Sequence, residues 1–396
     1  MMKRVFCAQL WVAFAFLIFL PTSTSAAKQD IVVGLDADLS GPSAIAGEAI
    51  RRGALLAMGE INNRGGVLGR KMRLENFDHR GNPARGLDNI ERLAKRPEVL
   101  AVLGGIHTPV ALHELKAIHK NHLIYLGPWA AGTTIVNNGF NPNFVFRVSV
   151  RDEYAGGFLV GRAKALGFNK IGLFLERTGW GRSNEKAMQA AASENGVDVV
   201  RVEWFNWGVS SFGSAIELMS RKGAQAVLLV ANVSEGAVLV KSMAALPEKK
   251  RLPIISHWGV TGGDFVSVAG RKAVDAVDML VLQTFSFLNP PRKKLGEQFL
   301  QAYQKQFDPN LTARDIQAPV GVAHAYDLIQ MLALAIRKAG KVDRDAVRDA
   351  MEHLGKYEGV MRTYNPPFSP TRHDALTADD FILARFGSDG AIVPIR

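Results

Sequence analysis

Three indoles set among residues with little or no side chain carry most of the chemical potential of this chain. Trp129 stands in LGPWAAGTT (126–134), Trp180 in ERTGWGRS (176–183) and Trp258 in SHWGVTGGD (256–264). His107, Thr108, Thr133, Asn232 and His257 lie in the same kind of loop. Large rings beside Gly, Ala and small polar groups make apolar walls with a few orienting hydrogen bonds, the composition of a small-molecule pocket. The alternative is that the indoles merely cover a core. Their recurrence at equivalent loop ends favours the pocket.

Sets that would make or break bonds are weaker. The sequence holds no H-E-x-x-H, no G-x-S-x-G and no Walker loop, and no G-x-G-x-x-G follows its first strand. His107, His113, His119 and His122 fall close together, but 113 and 119 are not at an i, i+4 spacing and no acidic residue is spaced to join them. The lone cysteine, Cys7, lies in the N-terminal apolar run. Asp36, in LDADL, reads better as a cap for the following turn than as a catalytic acid. Arg147, Arg151 and Asp152 read as a hinge ion-pair group before they read as ligand contacts. A binding protein without enzyme activity, cofactor or metal is therefore expected.

The elements that must position these loops alternate. IVVGLDADL (31–39), KMRLENF (71–77), VLAVLGG (99–105) and HLIYLG (122–127) read as strands. Helical patterns separate them, the first carrying Ile50, Ala54, Met58 and Ile61 on one face. After FVFRVSV (144–150) the rhythm resumes with strands at KIGLFL (170–175), VDVVRVEW (197–204), AVLLVA (226–231) and LPIIS (252–256). Short connections between alternating strands and helices predict parallel sheets covered on both faces. Two such blocks predict an α/β chain of two doubly wound lobes. Beyond about residue 283 come three helical segments, among them a long apolar one over 317–339, and then FILARF and AIVPI as closing strands. In such sheets ligands bind beyond the carboxyl ends of the strands, which is where the three tryptophan loops fall.

MMKR, an apolar run from Val5 to Leu20 and then PTSTSAA predict a signal peptide cleaved near Ala27, an uncleaved anchor being the alternative. No later segment reads as long and apolar enough to span a membrane. Formal charge is +11, and removing Lys3 and Arg4 leaves +9. The basic residues are scattered and read as a solvated surface, useful near anionic lipid headgroups. Export and the absence of a recognition motif argue against nucleic acid as a partner.

The series IVVGLDADLSGP, ALLAMGEINNRGGVLGRKMRLENFD, NPARGLDNIERL, VLAVLGG and LGPWAAGTT resembles the periplasmic binding proteins of branched-chain amino acid ABC transporters, the leucine/isoleucine/valine-binding type. The most specific part is GGVLG followed by a strand and the D-x-x-x-x-P helix start at Asp78–Pro83. The resemblance runs from about residue 30 to the end. It implies the type I periplasmic binding fold: a signal peptide at 1–27, a first lobe of 28–149 plus 284–361, and a second of 150–283 plus 362–396. The lobes would join through a three-strand hinge and close on a ligand between them. It implies a periplasmic location and an ABC permease as membrane partner, or a membrane receptor if the chain serves a sensor. The implied ligand-binding residues are His107, Thr108, Trp129, Ala130, Ala131, Tyr154, Trp180, Asn232 and Trp258, with Thr108 meeting a carboxylate. Ala46 stands where a Tyr often lines the pocket, and Trp258 where an acidic residue holds the ligand's ammonium. Asp264, Asp152 and Glu235 are the acids that could compensate. The ligand is then an amino acid, an aromatic carboxylate stacked on indoles, or a cation caged by them.

Overall fold

The computed structural model describes residues 29–395. The expected signal peptide, with Cys7, lies outside them. The chain opens with β1 (Ile31–Ala37), α1 (Ala44–Asn63), β2 (Met72–Asp78), α2 (Pro83–Ala94) and β3 (Val99–Gly104). It continues with α3 (Thr108–Lys120), β4 (Ile124–Gly127), the short α4 (Thr133–Val136) and β5 (Val145–Arg147). These strands form one parallel sheet in the order β2-β1-β3-β4-β5. Every residue of β1 and β3 is buried, as a sheet covered by helices on both faces requires.

The second sheet is built from α5 (Asp152–Ala165), β6 (Lys170–Glu176), α6 (Gly179–Asn195), β7 (Asp198–Phe205), α7 (Gly213–Arg221), β8 (Ala226–Val230) and α8 (Val233–Ala244). Then come β9 (Ile254–Ser256), a single 3-10 turn at Trp258–Thr261, α9 (Phe265–Ala269), α10 (Arg271–Asp275) and β10 (Met279–Gln283). The tail supplies α11 (Lys293–Phe307), α12 (Pro319–Ala339), α13 (Arg344–Glu352), a small β11–β12 hairpin (Tyr357–Glu358, Thr363–Tyr364), β13 (Ile382–Phe386) and β14 (Ile392–Pro394). β13 adds antiparallel to β10 and β14 antiparallel to β13, completing the order β14-β13-β10-β9-β8-β6-β7.

α12 corrects one expectation. It is long and apolar enough to cross a membrane, yet 83% of its most hydropathic stretch is buried, so it is a core helix. It lies against α1 so closely that a Cβ on Gly53 would come within 2.1 Å of the Val322 carbonyl, and only a glycine admits that approach.

The lobes are joined through 148–151, 284–292 and the segment after β12. There the buried Arg147 donates through Nε to Asp374 Oδ1 at 2.6 Å and bridges backbone with it, and Arg151 reaches Asp374 Oδ2 at 3.3 Å. Two of the three residues read as a hinge group are thus paired there. Asp36 departs from its reading as a turn cap. Asp38 caps that turn, accepting from the backbone N–H of Gly41 and Ser43 at 2.7 and 3.1 Å. Asp36 points instead into the core, where it accepts from Asn89 and faces the buried Glu114. Burial raises both carboxyls, Asp36 to about 7 and Glu114 well above its ordinary value; Asp36 raises Glu114 further, while a hydrogen bond with Glu114 lowers Asp36, so the pair keeps a proton at neutral pH.

Candidate functional site

Both sheets reverse their winding at a point that faces the other lobe. The reversal lies between β1 and β3 in the first and between β6 and β8 in the second, the places where open sheets bind ligands. Between them is a small, narrow cavity of about 10 Å³, closed down around its lining side chains.

The first wall comes from Ile106, His107, Thr108, Pro109, Trp129 and Ala131. His107 and Thr108 begin α3; Pro109 has no N–H and the Val110 and Ala111 amides donate to the His107 carbonyl at 3.1 Å, so of this first turn the Thr108 N–H is the amide left for a ligand. The Thr108 hydroxyl accepts from the Gly132 N–H at 3.2 Å and keeps its own proton to donate. His107 Nε2 lies 3.5 Å from Asp38. Trp129 is buried, backed by Gly321 of α12, and its indole nitrogen has no hydrogen-bond partner among the described residues. A buried donor left unpaired is costly, and a ligand acceptor would satisfy it. Its loop is fixed from behind by His324, whose Nδ1 donates to the Pro128 carbonyl at 2.7 Å while Nε2 accepts from Thr284 at 2.9 Å. Burial holds that imidazole neutral, lowered to about 4.

The second wall comes from Glu176, Trp180, Asn232, Trp258 and Gly259. Trp180 lies in the first turn of α6, Asn232 is the N-cap of α8, and Trp258 starts the 3-10 turn. Trp258 leans on Trp129 across the cleft with ring centroids 5.2 Å apart and planes 39° apart. Glu176, the last residue of β6, is buried and accepts from Asn232 Nδ2 at 3.0 Å and Thr178 Oγ1 at 3.1 Å. Burial pushes its carboxyl above the ordinary value, opposed by hydrogen bonds from Trp207 and Thr178. Trp207, 48% exposed, stands edge-on to His107 at the rim.

The lips of the cleft are bonded to each other. Ala46 N donates to the Gly262 carbonyl at 3.0 Å, and Thr133 N to Ser183 Oγ at 3.1 Å. The lobes are therefore in a closed arrangement.

Of the residues named from sequence, His107, Thr108, Trp129, Ala131, Trp180, Asn232 and Trp258 line this one cavity. Ala130 is buried behind it, its carbonyl accepting from Arg147. Tyr154 lies elsewhere, on α5 beside an outer groove with Arg151 stacked 5.3 Å over its ring. Of the candidate compensating acids, Asp264 caps α9, Glu235 accepts from Gly208, and Asp152 sits behind Trp180. The acid in the cavity is Glu176, which the sequence reading left out. Among the described residues no group of three or more His, Cys, Asp or Glu side chains is placed to hold a metal ion.

A family model described as periplasmic binding protein matches residues 30–391. A Leu/Ile/Val-binding protein homolog 1 of Brucella abortus is 25% identical over 337 residues, covering 84% of this chain and 85% of the relative. Two solved structures share the fold. One is a periplasmic binding protein type 1 from Bordetella pertussis (TM-score 0.82, 24% identity, 92% of this chain and 100% of the other). The other is an ABC-transporter solute-binding protein from R. palustris in complex with 4-hydroxybenzoate (TM-score 0.78, 18% identity, 93% and 96%).

Proposed function

The chain belongs to the periplasmic binding protein family, and from that premise we propose that it is the extracytoplasmic solute-binding component of an ABC importer whose cargo is a small amino-acid-like zwitterion with an apolar or aromatic side chain. The observation that carries this reading is the polarity of the cavity. One end offers neutral donors, at Thr108, the start of α3 and the Trp129 indole. The other offers the buried carboxyl of Glu176. A carboxylate fits the first end. An ammonium gives the second its missing counter-charge. Indoles flank the space between.

In this reading the lobes are 28–149 plus 284–361 and 150–283 plus 362–396, residues 1–27 are a cleaved signal peptide, and the closed form is what a membrane permease recognises. The chain binds its cargo without turning it over. Closure shifts the population toward the form in which both walls touch the ligand.

A second reading is favoured by the three indoles together with the raised Glu176 carboxyl: a neutral Glu176 can donate a hydrogen bond to an aromatic acid that has no amine. Its counterpart is the 4-hydroxybenzoate held by the R. palustris protein. One experiment separates the two. The melting temperature of the processed chain is followed against L-leucine, L-phenylalanine and 4-hydroxybenzoate. A true ligand at one hundred times its dissociation constant stabilises by about 2.7 kcal/mol. Stabilisation by an amino acid supports the zwitterion. Stabilisation by 4-hydroxybenzoate alone replaces it with the aromatic acid, and a response to none of the three overturns both.

A further inference from the structure

Asp152, the first residue of α5, is fully buried behind the second wall and does not line the cavity. Its Oδ1 accepts the Trp180 indole N–H at 3.2 Å. His257 Nε2 lies 3.2 Å from the same oxygen, off the line of an ideal hydrogen bond, so that contact is electrostatic. His257 Nδ1 accepts the Trp258 backbone N–H at 2.9 Å. That nitrogen is therefore bare, and the neutral ring carries its proton on Nε2, toward Asp152. The backbone N–H of Asp152 donates in turn to the Ala131 carbonyl at 2.9 Å, in the loop that carries Trp129. Asp152 Oδ2 is buried without a hydrogen-bond partner among the described residues. A carboxylate so placed is costly to bury. A helix start would be served as well by an exposed acid, so helix capping does not explain the burial.

We propose that Asp152 is a positioning residue that ties the second wall to the hinge, setting Trp180 directly and Trp258 through His257, so that movement of α5 against the 128–132 loop carries both indoles with it. The proposal rests on this cavity being the ligand site, but its wiring is testable without any ligand.

The test reads the indole N–H resonances of the 15N-labelled, ligand-free processed chain, assigned by single Trp→Phe changes. Asp152→Asn is expected to shift the peaks of both Trp180 and Trp258, although Trp258 has no hydrogen bond to Asp152. In a His257→Gln background the same Asp152→Asn change is expected to move Trp180 but no longer Trp258. A residue that only starts a helix would shift Trp180 at most. A Trp258 peak that ignores Asp152, or one that follows Asp152 equally with and without His257, overturns the proposal. Asp152→Glu, which keeps the charge and displaces it, is read by the same criterion if Asp152→Asn does not fold. Affinity for L-phenylalanine and 4-hydroxybenzoate supplies a second readout. Whichever probe binds the wild type should bind Asp152→Asn about tenfold or more weaker, the loss typical of a hydrogen bond to a charged group. It should bind the double variant no weaker than Asp152→Asn, and additive losses would count against the relay. Failure of both probes and of L-leucine on the wild type would remove the binding reading and leave the resonance test standing.

Discussion

The two walls of the cavity follow different electrical rules. The first presents neutral donors on its face, and its support, His324, is kept uncharged by burial. The second presents an acid, Glu176, and is backed by another, Asp152. A ligand with one negative end is satisfied by the first wall alone. A ligand with both charges is satisfied only when the lobes meet. Closure then belongs to recognition itself, because a ligand shifts a conformational equilibrium only by its difference in affinity for the two forms.

The largest test of that contrast is Glu176→Gln. Breaking a buried charge pair from one side costs about 3–5 kcal/mol, so an amino-acid ligand should lose affinity by roughly two to three powers of ten or more in calorimetric titration. An acid without an amine should lose far less. Equal losses for both would mean that the walls do not divide the work as described. Next is the response to acid. His324 is lowered from 6.5 to about 4, so the unfolded chain takes up a proton at a higher pH than the folded one. The stability this ring contributes is present above pH 6.5 and is lost as pH falls toward 4, on the order of 3 kcal/mol. Urea unfolding at pH 7 and pH 4.5 should show a smaller fall in His324→Asn than in the wild type. An unchanged fall would remove this support from the account of the first wall.

Thr108→Val comes third. It removes a donor to a charged group, about 1.5–3 kcal/mol, and because the carboxylate is common to every candidate ligand the loss should be the same for each. A loss confined to amino acids would reverse the assignment of the two ends. The smallest change is expected at the rim. Trp207→Ala removes a half-exposed ring and a hydrogen bond to Glu176, a loss of about 1 kcal/mol or less by the same titration.

Much of the fold was legible because buried parallel strands leave unbroken apolar runs such as VLAVLG and AVLLV. The loops after them follow from the strand-end rule, and seven residues of the cavity were found by it. Glu176 was missed by one position. KIGLFL reads as the strand and the acid after it as loop, whereas the strand runs through Glu176 and ends at the winding reversal. Applying the reversal rule to strand order, and not only to strand ends, is the signal that would have found it. The Asp152–His257–Trp258 chain had no such signal. Asp152 lies on α5 and the adjacent His257 and Trp258 on the turn after β9, and only the tertiary fold brings the acid to them. Tyr154 is the opposite case, a residue close in sequence to the first crossing that lies half-buried beside another groove and does not line this cavity.

The buried Asp36–Glu114 pair gives the first lobe a chemical stoichiometry. Unfolded, both carboxyls are ionised at pH 7, whereas the folded pair retains a proton. Folding of this lobe is therefore a proton-uptake reaction, and alkali acts on it as a denaturant: the pair's contribution is complete below about pH 4 and is withdrawn as pH rises through 7. In a compartment outside the cytoplasm the surrounding medium becomes a reactant in folding, and the heat of unfolding should change with the ionisation enthalpy of the buffer that receives the proton.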